Sequence, residues 1–154
     1  MSLARKMKSE SVSRLNPTPA LQVQPHDSVL DAVRLMREKS VGCVLVCEGK
    51  RIVGIFTERD LMRRVLAGGL PLSTPIIECM TPNPVTLDRK DSIAVAIRHM
   101  EDGGYRHLPV VTDGRPVGIL SVKRIVHYLV EHFPTFVYNL PPDESPAPRK
   151  REGA

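Results

Sequence analysis

The sequence predicts an α+β fold of two tandem β-α-β-β-α repeats packed with pseudo-twofold symmetry. Three observations carry this expectation. The 154-residue chain matches itself when slid by 64 positions. Within each copy, helical hydrophobic spacing and short β-like runs follow one another in the same order. Each copy is also too short to cover its own apolar face, so the two must share an interior.

The self-match is specific. Asp27-Ser28 falls on Asp91-Ser92, and Ala32, Arg34 and Met36 fall on Ala96, Arg98 and Met100. Val53-Gly54-Ile55 falls on Val117-Gly118-Ile119. Residues 23–66 and 87–130 share ten identities in 44 positions without a gap.

Each element has a local reason. A short strand is expected at Leu21 to Gln24, and its counterpart at Val85 to Leu87. A helix from Ser28 to about Lys39 follows, because Ser28 with Asp31 three residues on forms a capping box. Val29, Ala32, Val33 and Met36 then recur at helical spacing, as do Ile93, Ala96, Ile97 and Met100 in the second copy. Strands at Cys43–Cys47 and Arg51–Phe56 flank the turn Glu48-Gly49-Lys50. Leu108–Thr112 and Pro116–Leu120 flank Asp113-Gly114 in the same way. Closing helices run from about Glu58 to Ala67, stopped by Gly68-Gly69, and from about Val122 to His132. The expected organisation is a flexible basic arm at 1–16, repeat 1 at 17–69, a linker at 70–84, repeat 2 at 85–133 and an extension at 134–154. The extension is expected to be disordered from about 141, where prolines sit among charges. The segment Phe133 to Leu140 is apolar enough to dock somewhere.

Composition narrows the function. Aromatics are 4% with no Trp, so the core must be aliphatic. No apolar run reaches the roughly 18 residues a membrane span needs, and no secretory h-region follows the N-terminus. A cytoplasmic protein is expected. Cys43, Cys47 and Cys79 fit neither a disulfide framework nor a zinc pattern, and read as free thiols in a reducing compartment. The net charge is +5, of which residues 1–14 supply +3. The basicity therefore belongs mainly to the terminal segment. The rest has no basic stripe with interleaved aromatics, so nucleic acid is not the expected partner; the alternative reading is a dimeric interaction scaffold, or a nucleic-acid-binding protein, with no small-molecule ligand. The five histidines form no metal or triad spacing, and Glu58 and Asp60 would point to different sides of a helix. No enzyme is expected, and no metal.

The repeated β-α-β-β-α order, the linker Cys79-Met80-Thr81-Pro82-Asn83-Pro84-Val85-Thr86, the run Tyr105-Arg106-His107-Leu108-Pro109-Val110-Val111 and Val53-Gly54-Ile55-Phe56-Thr57-Glu58-Arg59-Asp60-Leu61 resemble a tandem pair of cystathionine-β-synthase-type (CBS) domains, a Bateman module. The resemblance covers roughly residues 17–133. It implies two clefts between the copies, each able to hold an adenosine-containing ligand, and a regulatory role. It also implies a homodimer, with the closing helices as a candidate surface. The bound ligand would be AMP, ADP, ATP or NAD(H), and the regulated partner is not named by the sequence.

The sharpest element is Gly54-x-x-Thr57-x-x-Asp60. It reads as a strand end turning into a helix. Glycine admits a close ligand, and a helix N-terminus favours phosphate. In the family this aspartate holds the ribose, a role the resemblance carries to Asp60. Thr57 and Asp60 also read as a simple capping box. The second copy has Gly118-x-x-Ser121-x-x-Arg124, so an equivalent helix starts without the acid, which favours ligand binding at Asp60. The resemblance closes that cleft with Val85, Thr86, Tyr105, Arg106 and His107. Ile55, Val85 and Tyr105 would flank adenine, and Arg106 and His107 would meet phosphate. The opposite cleft, on Ser121 and Arg124 and faced by Val41, Gly42 and Cys43, departs from the pattern, because arginine cannot accept bonds from ribose hydroxyls. It is expected to be empty or to take something different, such as an anion.

Overall fold

A computed structural model describes residues 2–134. Helix α1 (Leu3–Ser9) and a 3-10 turn (Val12–Leu15) lead into strand β1 (Gln22–Val23), helix α2 (Val29–Lys39), β2 (Cys43–Glu48) and β3 (Arg51–Thr57). Helix α3 (Glu58–Asp60) continues as a π-helical segment (Leu61–Leu66), followed by a 3-10 turn (Ile76–Glu78) and β4 (Thr81–Pro82). The second copy adds β5 (Leu87–Asp88), α4 (Ile93–Gly103), β6 (His107–Thr112), β7 (Arg115–Ser121) and α5 (Val122–His132).

The repeats form two sheets, ordered β1-β2-β3-β4 and β5-β6-β7. In each, a helix crosses over between parallel strands and a tight turn joins the antiparallel pair. Both hairpins slip register at the same place, between Val46 and Cys47 and between Val110 and Val111. Their turns need left-handed backbone, supplied by Gly49 in one copy and by Asp113 and Gly114 in the other. The expected capping box starts α2, with Ser28 Oγ accepting from Asp31 N and Asp31 Oδ2 from Ser28 N. In α4, Ser92 accepts from Val95 N at 3.2 Å, without a returning carboxylate.

Each copy has its own apolar core. Val29, Ala32, Val44, Val46, Phe56 and Val65 fill the first, and Leu87, Ile93, Ala96, Leu108, Leu120 and Ile125 the second. A smaller cluster of Cys43, Leu45, Cys47, Ile55 and Ile119 lies where the sheets meet.

Two expectations about connecting segments need correction. The segment read as a flexible basic arm is folded from Leu3 onward. Met7, Val12 and Leu15 are buried in the core of the second copy, while Arg5, Lys8 and Arg14 point to solvent. Glu10 bridges Lys6 and Arg14 one turn either side. The linker is likewise part of a core: Ile76, Cys79 and Met80 pack into the first copy. The two segments are equivalents. Val12 N donates to Asp91 O at 2.8 Å, as Ile76 N donates to Asp27 O at 2.8 Å. Ile93 N donates to Glu10 O, as Val29 N donates to Thr74 O. The chain therefore crosses over: the segment entering repeat 1 packs on repeat 2, and the segment entering repeat 2 packs on repeat 1.

The closing helix of the first copy also differs from expectation. After Asp60 the bonds run from residue i to i+5, with Ala67 N donating to Met62 O and Leu70 N to Val65 O, both at 2.9 Å. Such widened turns are rare and concentrate at functional sites. The expectations for 133–140 and for disorder beyond 141 lie outside the described residues past Pro134. No helix among the described residues is long and apolar enough to cross a membrane.

Ile76 is 0% and Leu15 3% exposed, so Ile76→Ala and Leu15→Ala should each cost about 2–5 kcal/mol by urea unfolding. Changes within about 0.5 kcal/mol, the level of ordinary surface sites, would return both segments to the status of free connections.

Candidate functional site

The crossed packing gives two equivalent strand-to-helix turns, at Thr57 and at Ser121, and a cavity opens at the second. In the first, β3 ends at Thr57, which caps α3: Thr57 Oγ1 accepts from Asp60 N at 3.2 Å. Asp60 Oδ2 accepts from Thr57 N at 3.0 Å and from Thr57 Oγ1 at 3.1 Å. Asp60 Oδ1 accepts from Thr81 Oγ1 at 3.0 Å and lies 3.4 Å from Arg64 Nε. Arg64 also donates to Met80 O at 2.8 Å. The carboxylate is 5% exposed, so its charge is tolerated only because both oxygens are satisfied.

Thr81 and Arg64 are the site residues that the sequence reading missed. Arg64 was legible, four residues after Asp60 on one helix face. Thr81 was not, because only the crossed packing brings β4 against β3. Gly54 is likewise explained by β4: a Cβ there would collide with the Met80 side chain.

The other expected residues are more spread out. Ile55 is buried and lies opposite Leu45 and Thr81 in the sheet. Val85 packs half-buried against the second core, and Thr86 is exposed. Tyr105 is 39% exposed, with its ring against Gly103. Arg106 is exposed and its carbonyl accepts from Val122 N at 3.0 Å. No hydrogen bond or ion pair among the described residues joins Tyr105 or Arg106 to Asp60. His107 lies opposite Ser121 in the sheet and lines the second cleft.

That second cleft is an open cavity of about 720 Å³ between the copies. Val33, Met36, Val41, Leu61 and Ile119 give it an apolar wall. Arg37, Lys123 and Arg124 give it cations, with Glu58 as the acid among its lining residues and the imidazoles of His107 and His127 beside them. Ser121 caps α5 by accepting from Arg124 N at 3.2 Å. Gly42 keeps one corner open, since a Cβ would fall 2.6 Å from Glu58 Oε1 and 3.1 Å from His107 Nε2. Burial lowers the His107 pKa and the Arg106 charge adds to this, while Glu58 opposes both. Burial and the Glu58 charge push the Cys43 thiol up to about 12, so it stays protonated and unreactive. Among the described residues no His, Cys, Asp and Glu cluster is arranged to hold a metal.

Comparison with known proteins places this architecture. The chain is 34% identical over 120 residues to the CBS domain-containing protein CBSCBSPB2 of Arabidopsis thaliana, covering 76% of this chain and 22% of that protein. It thus spans about a fifth of the length of that plant relative. A conserved Pyrococcus horikoshii protein of known structure is 32% identical, with a TM-score of 0.72 over 79% of this chain and 92% of its own. The CBS domain protein PAE2072 of Pyrobaculum aerophilum, solved in complex with AMP, is 26% identical with a TM-score of 0.70, covering 75% and 89% of the two chains. The sequence pattern of the CBS domain itself matches residues 10–67 and 76–131. Those bounds agree with the packing, since the first match takes in the Val12–Leu15 turn and the second begins at its equivalent, Ile76. The chain belongs to the CBS domain family, as a tandem pair.

Proposed function

We propose that this CBS pair is a regulatory module rather than an enzyme, and that it binds an adenine nucleotide, AMP, ADP, ATP or NAD(H), in a cleft built on Asp60. The observation that carries the reading is a buried carboxylate at a strand-to-helix turn, facing the segment that opens the other copy. A carboxylate that accepts a threonine hydroxyl is equally suited to accept a ribose diol. Binding would exchange the Thr81 hydroxyl, and with it the Arg64 contact, for the two ribose hydroxyls. Ile55, Val85 and Tyr105 would flank the adenine, Thr57 and Thr86 would offer hydroxyls, and Arg106 would meet phosphate; His107, which lines the other cavity, takes no part. The AMP complex of the Pyrobaculum relative supports an adenosine-containing ligand for this fold.

A signal then follows by linkage. A ligand shifts the arrangement of the copies only as far as it binds one arrangement better. Releasing Thr81 frees β4 and the Met80 carbonyl, both tied to Arg64 and Asp60, so ligand entry is coupled to the crossed segment.

Exposed apolar residues supply a surface for assembly. Met62 and Leu66 are 65% and 63% exposed, and their equivalents Val126 and Val130 are 53% and 36% exposed. Each pair is four residues apart on its closing helix, giving two matching apolar stripes. The inward residues Val65 and Ile125 are buried, so the stripes are not needed for the core of one chain. They suit a second copy of this chain, which gives a homodimer.

Asp60→Asn keeps the cap geometry but removes the charge. Titration calorimetry should show AMP binding weakened tenfold or more, the loss expected for a charged hydrogen bond of about 1.5–3 kcal/mol. Unchanged affinity would leave Asp60 as a helix cap only. A Met62→Glu, Val126→Glu double variant should sediment as a monomer where the unaltered protein is a dimer. A dimer that survives both charges would move the interface elsewhere.

A further inference from the structure

The 720 Å³ cavity on α5 is not explained by adenosine binding at Asp60. We infer that it is a second, independent site, for an oligophosphate: two or more linked phosphate groups, with no grip on a ribose.

Three observations point to this ligand class. The first is the exchange of Asp60 for Arg124 at the equivalent helix position. The group at that place can donate but cannot accept, so it cannot take the protons of a diol as Asp60 can, and it suits a phosphate oxygen.

The second is where the charges sit. The first turn of α5, like that of α4, has no acidic residue, but unlike α4 it carries two cations, Lys123 and Arg124, whereas α2 has Asp31 there. Cations at the positive end of a helix dipole are unfavourable, and a bound anion relieves them. Among the described residues, the side chains of Arg37, Lys123 and Arg124 form no ion pair, although Glu58 lines the same cavity. These charges are therefore not consumed in holding the fold together.

The third is distribution. The cations come from two separate elements, Arg37 on α2 and Lys123 and Arg124 on α5. A single phosphate engages one such group or a neighbouring pair. Groups arriving from separate walls of one cavity suit a ligand whose charge is also spread out, which is the chemistry of linked phosphates. That chemistry is shared by a free oligophosphate and by the tail of a nucleoside triphosphate.

Tripolyphosphate is the direct probe, titrated calorimetrically into the full chain at low and at moderate salt. Saturable binding that weakens with salt is expected, together with a rise in Tm. Arg124→Asp should weaken it at least tenfold, and so should Arg37→Ala, which lies on another element and guards against a local folding defect. Asp60→Asn should leave it unchanged, which separates this site from the adenosine site. Displacement of tripolyphosphate by ATP would identify the source as a nucleotide tail, and resistance to ATP a free oligophosphate. No saturable binding at low salt, undiminished binding by both variants, or displacement by adenosine would each overturn the inference.

Discussion

Everything in this fold depends on the crossed start of each repeat. A β-hairpin packed under one helix leaves a free strand edge with unpaired backbone groups. Here β4, the entry to the second copy, covers the edge of β3. On the other sheet, Thr18, in the entry to the first copy, pairs with Ile119 of β7, both bonds at 2.9 Å. The glycines of both sites serve this covering. A Cβ on Gly54 would strike Met80, and a Cβ on Gly118 would meet Pro17 at 2.9 Å and the Thr18 carbonyl at 3.2 Å. Neither copy completes its sheet or its core alone, so the pair folds as one unit.

The two strand-to-helix turns are consequences of that crossing, and they are not equal. The same backbone turn presents a carboxylate in one and a guanidinium in the other. Asp60 is drawn inward, satisfied by Thr57, Thr81 and Arg64, and ties β4 to the first copy. Arg124 lies at an open cavity, and its side chain forms no ion pair among the described residues. One duplicated frame thus carries an acceptor site and a donor site.

Much of this was legible in the sequence, for identifiable reasons. The 64-residue repeat set the order of elements, and helical spacing and the Ser28–Asp31 box set α2 to within a residue. The entry segments were missed because their apolar residues are sparse and set among charges or prolines. A signal was present: Val12 and Ile76 are equivalent under the same shift, so the repeat begins earlier than its run of identities. The π-helical segment was not legible, since its apolar spacing over four residues fits an α-helix equally well. Thr81 at Asp60 and Met80 over Gly54 are long-range contacts that no local pattern encodes. His107 was assigned to the Asp60 side, whereas its place opposite Ser121 turns it toward the other cavity.

A crystal structure of the full chain grown with saturating AMP tests the central claim most directly. The account predicts the ribose diol on the Asp60 carboxylate, with the Thr81 hydroxyl displaced and the Arg124 cavity free of adenosine. AMP seated with its ribose at Arg124, or Asp60 still closed by Thr81 beside an empty cleft, would contradict it.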